Sequence, residues 1–366
     1  MLSVVLAVMV VSSVGAVLAL LLVVSERFIA DYGECKIDIN GQRQLTVNGG
    51  KPLLGALVEN EVFVPSACGG RGTCGYCKVK VLAGGGPVAP TETPFLSQQD
   101  LAGNVRLSCQ VKIRGDIRIE IPEDLLAARR YEALCQEITE LTYDIRRFRF
   151  KLTEPAEMEF VAGQYVQLFC PRYKGNRDEV YRAYSVASDP QQKGIIDLII
   201  RRVPDGICTT YCFDYLKAGD GVTFNGPHGD FRLCQSDSPM IWIAGGSGMA
   251  PFVSMLHDMK NRGLNRNTTY FLGGKHVKDL FLLDQMKAFE SESPGFRFVP
   301  VVAQPAEGEQ WDGEKGLVTE AVERSADNIA ACEAYLCGSP GMIDACIRVL
   351  TKLGVAEEKI FYDKFE

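Results

Sequence analysis

Ser66-Ala-Cys-Gly-Gly-Arg-Gly-Thr-Cys-Gly-Tyr-Cys77 is the stretch from which the rest of the chain is read. It sets Cys68, Cys74 and Cys77 on one short loop, and Cys109 follows in Leu-Ser-Cys-Gln after 31 intervening residues. Three thiolates on a loop and a distant fourth can close a tetrahedral sulfur cage. The interleaved Gly69, Gly70, Gly72 and Gly75 permit φ > 0 and bring backbone N–H groups up to a buried anion, here the sulfides of a cluster. The stretch predicts a [2Fe–2S] centre held by Cys68, Cys74, Cys77 and Cys109. Plant-type ferredoxins have four residues between their first two cysteines. This loop has five, so it departs from that spacing. A four-cysteine zinc site normally uses two C-x2-C knuckles, and this chain has one.

On either side of the loop the pattern is that of a small sheet gripping one helix. Cys35–Gln42 and Gln44–Asn48 alternate apolar and polar residues around Asn40-Gly41, a hairpin signal. Pro52–Glu59 reads as a short helix with proline in its first turn. Lys78–Leu82 reads as a strand, with further strands near Arg106–Lys112 and Ile117–Ile121. The expectation is a β-grasp ferredoxin domain over residues 33–124. Leu125–Tyr131, with Arg129-Arg130, reads as a linker or short connecting helix.

Before this domain, Leu2–Val24 runs 23 residues without a charge, roughly 34 Å as a helix and enough to cross a bilayer. A cleaved signal peptide would show a basic leading segment and a shorter apolar run. Residues 1–27 are therefore expected to be a single transmembrane anchor. Glu26 and Arg27 nearly cancel, so charge does not orient it. The net charge of −7, with no basic run, argues against a nucleic-acid partner. Of the 13 cysteines, the nine outside the ligand set show no paired framework, as expected for a reducing compartment.

Beyond Glu132 the period is mainly two. Strands are expected over Ile145–Leu152, Glu159–Cys170, Tyr181–Ala187, Ile195–Arg202 and Gly221–Asn225, with one helix over Thr209–Leu216. Short spacing between them suggests an antiparallel barrel, residues 131–234. Near Ser236 the period changes. Strands at Met240–Ala244, Thr268–Leu272, Phe296–Val302 and Ala334–Cys337 alternate with helices to Arg262, Leu280–Phe289, Leu317–Arg324 and Gly341–Leu353. That alternation predicts a doubly wound parallel sheet over residues 235–366.

Four constellations carry chemistry. Arg182-Ala183-Tyr184-Ser185 on a barrel strand can meet a flavin: Arg182 for the pyrophosphate, Tyr184 for the ring face, Ser185 as a donor near N5 or O4. Gly206, Thr209 and Thr210, with the N–H groups opening a helix, can hold its phosphates. Gly245-Gly246-Ser-Gly248-Met-Ala-Pro251 follows a strand and precedes a helix, the context in which a dinucleotide pyrophosphate meets a helix N-terminus. Gly273–Val277 offers Lys275 and His276 but no acid for a ribose hydroxyl, so these residues do not separate NADH from NADPH. Cys337-Gly338 ends a late strand, where a small polarisable side chain suits the nicotinamide C4; a buried core cysteine is an equal alternative. Phe365 can cap a flavin face or serve as ordinary core. His228, His257 and His276 read as structural or solvated.

Together these motifs resemble the ferredoxin–NADP+ reductase superfamily with a fused ferredoxin domain. With the N-terminal helix included, the whole chain is similar to the F-subunit family of sodium-translocating NADH:quinone oxidoreductases. The resemblance implies that Arg182, Ala183, Tyr184, Ser185, Gly206, Thr209 and Thr210 bind FAD. It implies that Gly245, Gly246, Gly248, Cys337 and Gly338 face NADH, that Phe365 shields the flavin, and that Ser185, Cys337 and Phe365 stand at the hydride transfer. It further implies integral-membrane electron-acceptor subunits of a respiratory complex as partners, quinone as an indirect acceptor, and an inner (plasma) membrane location with cytoplasmic catalytic domains. The segments before Arg182 and between Arg202 and Thr210 are shorter than in that family. Phe361-Tyr-Asp-Lys-Phe365 is closer to the reductase components of soluble aromatic-ring oxygenases. An oxygenase reductase and a non-enzymatic four-cysteine metal scaffold are the alternatives.

Overall fold

Two units make up the chain, residues 1–65 with 70–127 and residues 66–69 with 128–366. The computed structural model describes residues 2–29, 32–325 and 328–365. In the first unit, helix α1 (Leu2–Ile29) precedes β1 (Glu34–Ile39) and β2 (Arg43–Asn48), which pair antiparallel as the hairpin signal predicts. Asn40 (φ 56°) and Gly41 (φ 67°) both take the left-handed conformation that this tight turn demands. α2 (Leu53–Glu59) buries Leu53, Leu54, Ala56 and Leu57 in one core with Ile37, Ile39, Ile117 and Ile119. β3 (Lys78–Ala83), α3 (Gln98–Ala102), β4 (Val105–Leu107), β5 (Ile117–Glu120) and α4 (Glu123–Leu126) complete the unit. The strand order is β2-β1-β5-β3-β4, with β1 and β5 parallel, a mixed sheet of β-grasp form.

The strand expected over 106–112 stops at Leu107. Gln110 N donates back to Leu107 O at 2.8 Å, so the chain turns there and delivers Cys109. Arg106, at the centre of β4, is buried with Glu92 and also donates to the carbonyls of Gly85, Gly86 and Pro87. Glu92 accepts from Arg106 Nε and from the Ala89 and Leu107 N–H groups, each at 2.9 Å. This network closes the glycine-rich loop after β3.

In the second unit β6 (Arg129–Glu140), β7 (Ile145–Glu154), β8 (Tyr165–Cys170), β9 (Val180–Ser185), β10 (Ile195–Arg201) and β11 (Gly221–His228) form an antiparallel sheet in the order β10-β7-β6-β11-β8-β9. An isolated bridge from Val186 to Leu198 brings its last strand back to its first, giving a barrel-like layer around Phe148, Phe150 and Phe224. The arginine pair read as linker instead opens β6, because Arg129 and Arg130 pair in register with Gly226 and Asn225 of the longer β11. Residues 159–164 make a turn, with Gln164 N donating to Val161 O, so β8 starts later than expected. The helix expected over 209–216 is α5 (Ile207–Thr210) followed by a single π turn, Tyr211–Tyr215.

The second sheet of this unit is wholly parallel. It holds β12 (Met240–Gly245), α6 (Ala250–Arg262), β13 (Thr268–Gly274), α7 (Leu283–Glu292), β14 (Phe296–Val302), β15 (Glu314–Lys315), α8 (Val318–Arg324), β16 (Glu333–Gly338), α9 (Pro340–Lys352) and β17 (Ile360–Lys364). The order β15-β14-β13-β12-β16-β17 reverses direction between β12 and β16, and open α/β sheets bind ligands in the crevice at such a point. Trp242, Tyr270 and Tyr335 fill one face of the core. β15 and β17 were not legible as strands; each is short and takes its identity from the neighbour it pairs with.

Side chains of α1 are described for position 6 and positions 8–21, all exposed. Among the described residues no helix is both long and apolar enough to cross a membrane.

Candidate active site

The crevice between β12 and β16 is shaped by missing side chains. Gly246 (φ 56°) and Gly338 (φ 147°) lie in the left-handed region. A Cβ on Gly248 would overlap the Cys337 carbonyl, and one on Gly338 would come within 2.8 Å of Met342 Cε and 3.2 Å of Gly245 O. The two strand ends can touch only because these positions are glycine. The resulting cradle fits a dinucleotide pyrophosphate approaching over α6, whose first turn opens with Pro251.

Across from it, β9 carries Arg182, Ala183, Tyr184 and Ser185, paired with Leu168, Gln167, Val166 and Tyr165 of β8. Ser185 is buried, and its Oγ donates to Asp363 Oδ2 at 3.3 Å. Asp363 sits on β17 directly beside Cys337 of β16. Three chemically active side chains therefore meet: a hydroxyl from the barrel, a carboxylate from the last strand and a thiol from the strand before it. Burial lifts the Asp363 carboxyl from 3.8 to about 6, opposed by the Ser185 hydrogen bond. Burial, and then the Asp363 charge, push the Cys337 thiol well up, so it stands there as a neutral S–H. Phe365 is half-buried against the parallel-sheet core, and its N–H donates to Gly338 O at 2.8 Å.

The flavin-side residues divide. Tyr184 is partly buried in the barrel core, and burial, then the neighbouring Cys212 and Cys208, push its phenol well up. Arg182 folds back on its own strand, Nη1 donating to Tyr181 O at 2.6 Å. The Thr209 hydroxyl is buried, 3.2 Å from the Val203 and Gly206 carbonyls, and accepts from Val203 N. It closes the 203–209 loop. Gly206 caps the N-terminus of α5 and accepts from Thr210 N at 2.8 Å. His228 is buried against Asn225 Oδ1, 2.6 Å away, and burial pushes it down to about 4, a structural role as expected.

Gly69, Gly70, Gly72 and Gly75 all have positive φ, between 66° and 86°. Cys74, Cys77 and Cys109 fold with the first unit; Cys68, in the tetrapeptide 66–69, folds with the second. In that tetrapeptide Gln167 Nε2 donates to Ser66 O at 3.2 Å, and a Cβ on Gly69 would come within 2.5 Å of Arg182 Nη1. The hydrogen bond between Cys77 and Cys109, together with burial, pushes the Cys77 thiol far up. Two thiolates can share that site only against positive charge, which fits ligation to iron. Among the described residues no three His, Cys, Asp or Glu side chains converge closely enough to hold one metal ion.

Three family models match the chain: a 2Fe-2S iron-sulfur cluster binding domain over residues 37–114, an oxidoreductase FAD-binding domain over 132–233, and an oxidoreductase NAD-binding domain over 242–348. The F subunit of the Na+-translocating NADH-quinone reductase from Neisseria meningitidis serogroup C is 34% identical, covering 95% of this chain and 96% of that protein. The chain belongs to this F-subunit family. The Actinobacillus succinogenes member is 32% identical over 97% of both chains. Among solved structures the chain is similar to the Amycolatopsis cytochrome P450 reductase GcoB, 30% identical with a TM-score of 0.73, covering 90% of this chain and 98% of that one. FAD, a nicotinamide dinucleotide and a [2Fe–2S] cluster are thus the groups this chain is built to hold.

Asp363 is the residue that sequence reasoning passed over. Its signal was an acid within an otherwise aromatic and aliphatic terminal run, Ile360-Phe-Tyr-Asp363. What the sequence did not contain was the pairing that sets it against Cys337.

Proposed function

We propose that this chain is the electron-input subunit of a membrane-bound NADH dehydrogenase, accepting hydride from NADH and passing single electrons to membrane partners and ultimately quinone. The observation that carries this is the meeting of Ser185, Asp363 and Cys337 where the flavin barrel faces the dinucleotide crevice. Bound FAD supplies two-electron acceptance with one-electron release, and the cluster supplies one-electron carriage.

The residues bind and orient. Gly245, Gly246 and Gly248 would take the NADH pyrophosphate, and Cys337 with Gly338 would border the nicotinamide. Arg182, Ala183, Gly206, Thr209 and Thr210 would hold FAD. Tyr184 would lie against the ring, and Ser185 would present its hydroxyl at the reacting edge. Phe365, tethered to Gly338, would cover the flavin face until the nicotinamide displaces it. Stacking of two rings is the main catalytic device, so exclusion of water and alignment are what these side chains supply. Cys68, Cys74, Cys77 and Cys109 would hold the cluster.

The anchor assignment rests on α1. Ten large apolar side chains along it, Leu6 to Leu21, are exposed, more than a soluble surface tolerates. Ser13 Oγ donates to Met9 O at 2.7 Å, satisfying its hydroxyl within the helix as hydrocarbon requires. α1 would hold the chain at the plasma membrane with its catalytic domains in the cytoplasm.

Stopped-flow absorbance of the full-length protein mixed with NADH, then with membranes lacking it, tests the proposal. Flavin bleaching, cluster reduction and quinone-dependent reoxidation are expected. The likeness to the cytochrome P450 reductase and the terminal Phe361–Phe365 motif favour a second acceptor, an oxygenase. In that case flavin and cluster are reduced, but quinone does not reoxidise them. A protein without a visible spectrum, the zinc-scaffold outcome, refutes both.

A further inference from the structure

We propose that Gln110 tunes the cluster: it donates a hydrogen bond to the sulfur of Cys109 and raises the potential at which the cluster takes its electron. The inference rests on the assignment of Cys68, Cys74, Cys77 and Cys109 as ligands and adds a residue that is not itself a ligand.

Gln110 follows Cys109 directly, and its Nε2 lies 3.6 Å from Cys109 Sγ, within hydrogen-bonding range of sulfur. The amide's orientation is set from the other side. Thr91 Oγ1 donates to Gln110 Oε1 at 2.8 Å, which occupies the oxygen end and leaves the N–H end for sulfur. Space for the amide comes from the cluster loop itself. Gly72 has φ 78°, and a Cβ there would come within 2.5 Å of Gln110 Nε2. The Gln110 backbone is also held, its N–H donating to Leu107 O at 2.8 Å. Three separate segments therefore converge to aim one N–H at one ligand sulfur.

The physical consequence has a definite sign. Reduction adds an electron whose charge spreads onto the thiolate ligands, and an N–H dipole pointed at a ligand stabilises the more negative state. No bond to carbon, sulfur or hydrogen is made or broken. Without the donor, the same electron is held less tightly.

The test is a redox titration of the full-length protein, following the reduced-cluster EPR signal, with Gln110→Leu, Gln110→Glu and Thr91→Val. Gln110→Leu is expected to lower the equilibrium constant for cluster reduction about tenfold, which is ~59 mV for one electron. Gln110→Glu, which swaps a donor for a negative charge, should lower it further. Thr91→Val keeps Gln110 but frees its amide, and should give a smaller decrease. NADH-driven flavin bleaching should stay at the wild-type rate in all three. An unchanged or raised potential in Gln110→Leu overturns the proposal. If that variant assembles no cluster, Thr91→Val decides alone: a lowered potential supports the assignment and an unchanged one overturns it. A wild-type protein without a reducible iron–sulfur signal would instead refute the functional assignment, before any variant is compared.

Discussion

Asp363→Asn removes a charge while keeping its shape, at the point where barrel and crevice meet. Burial raises Asp363 from 3.8 to about 6 in the folded chain, against the pull of the Ser185 hydroxyl 3.3 Å away. A rise of that size corresponds to roughly 3 kcal/mol, at ~1.4 kcal/mol per pKa unit. Partial exposure of the residue reduces the usable figure to roughly half. The sign follows from proton linkage: a carboxyl whose folded pKa is raised is protonated in both states below about pH 4, and ionising it costs the fold progressively as pH climbs through about 6. The asparagine variant should therefore gain ~1.5 kcal/mol, a few degrees in Tm, near pH 8 and nothing near pH 4. Thermal unfolding of both proteins across that range measures this. Stopped-flow flavin bleaching by NADH supplies a second test: the wild-type rate should change with a midpoint near pH 6, and the variant should show no such step. A Tm difference constant across pH, or a variant that keeps the kinetic midpoint, would refute the placement of Asp363 as a half-buried, titrating member of the site.

Glu92→Gln should destabilise the first unit by ~3 kcal/mol, because it leaves Arg106 buried beside a neutral partner. Burial opposes ionisation of Glu92, yet the Arg106 side chain and the Ala89 and Leu107 N–H groups hold it below 4.5. The wild-type advantage should therefore be present above that pH and fade on acidification, as read by thermal unfolding. Gly248→Ala should raise the KM for NADH roughly tenfold, with flavin content unchanged, since its methyl group would overlap the Cys337 carbonyl; an unaltered KM would remove this loop from the dinucleotide site. Cys109→Ser should abolish the cluster absorbance and EPR signal while NADH still bleaches the flavin. Retention of both cluster signals would exclude Cys109 as a ligand.

Local chemistry made much of this protein legible. Cys68, Cys74 and Cys77 with their glycines announce a metal cluster because thiolate donors and positive-φ positions have few other reasons to alternate. The change from period two to alternating strand and helix near Ser236 announces a parallel sheet, because crossover connections require it. Both signals are read from residues that are near neighbours in the chain. Pairing between distant segments was not legible. β6 absorbs Arg129 and Arg130 because β11 extends to meet them, and β17 becomes a strand only by lying against β16. The same holds for the site. Ser185 and Cys337 could be named from their motifs, but Asp363 acquires its raised pKa only when folding buries it, and its hydrogen bond from the Ser185 hydroxyl joins residues 178 apart in the chain. The hydrogen bonds of the Thr209 hydroxyl to Val203 and Gly206 were likewise not legible in the sequence. Motif and period, which depend on neighbours in the chain, were determined by the sequence alone. Burial, register and charge environment depend on neighbours in space, and only the tertiary structure decided them.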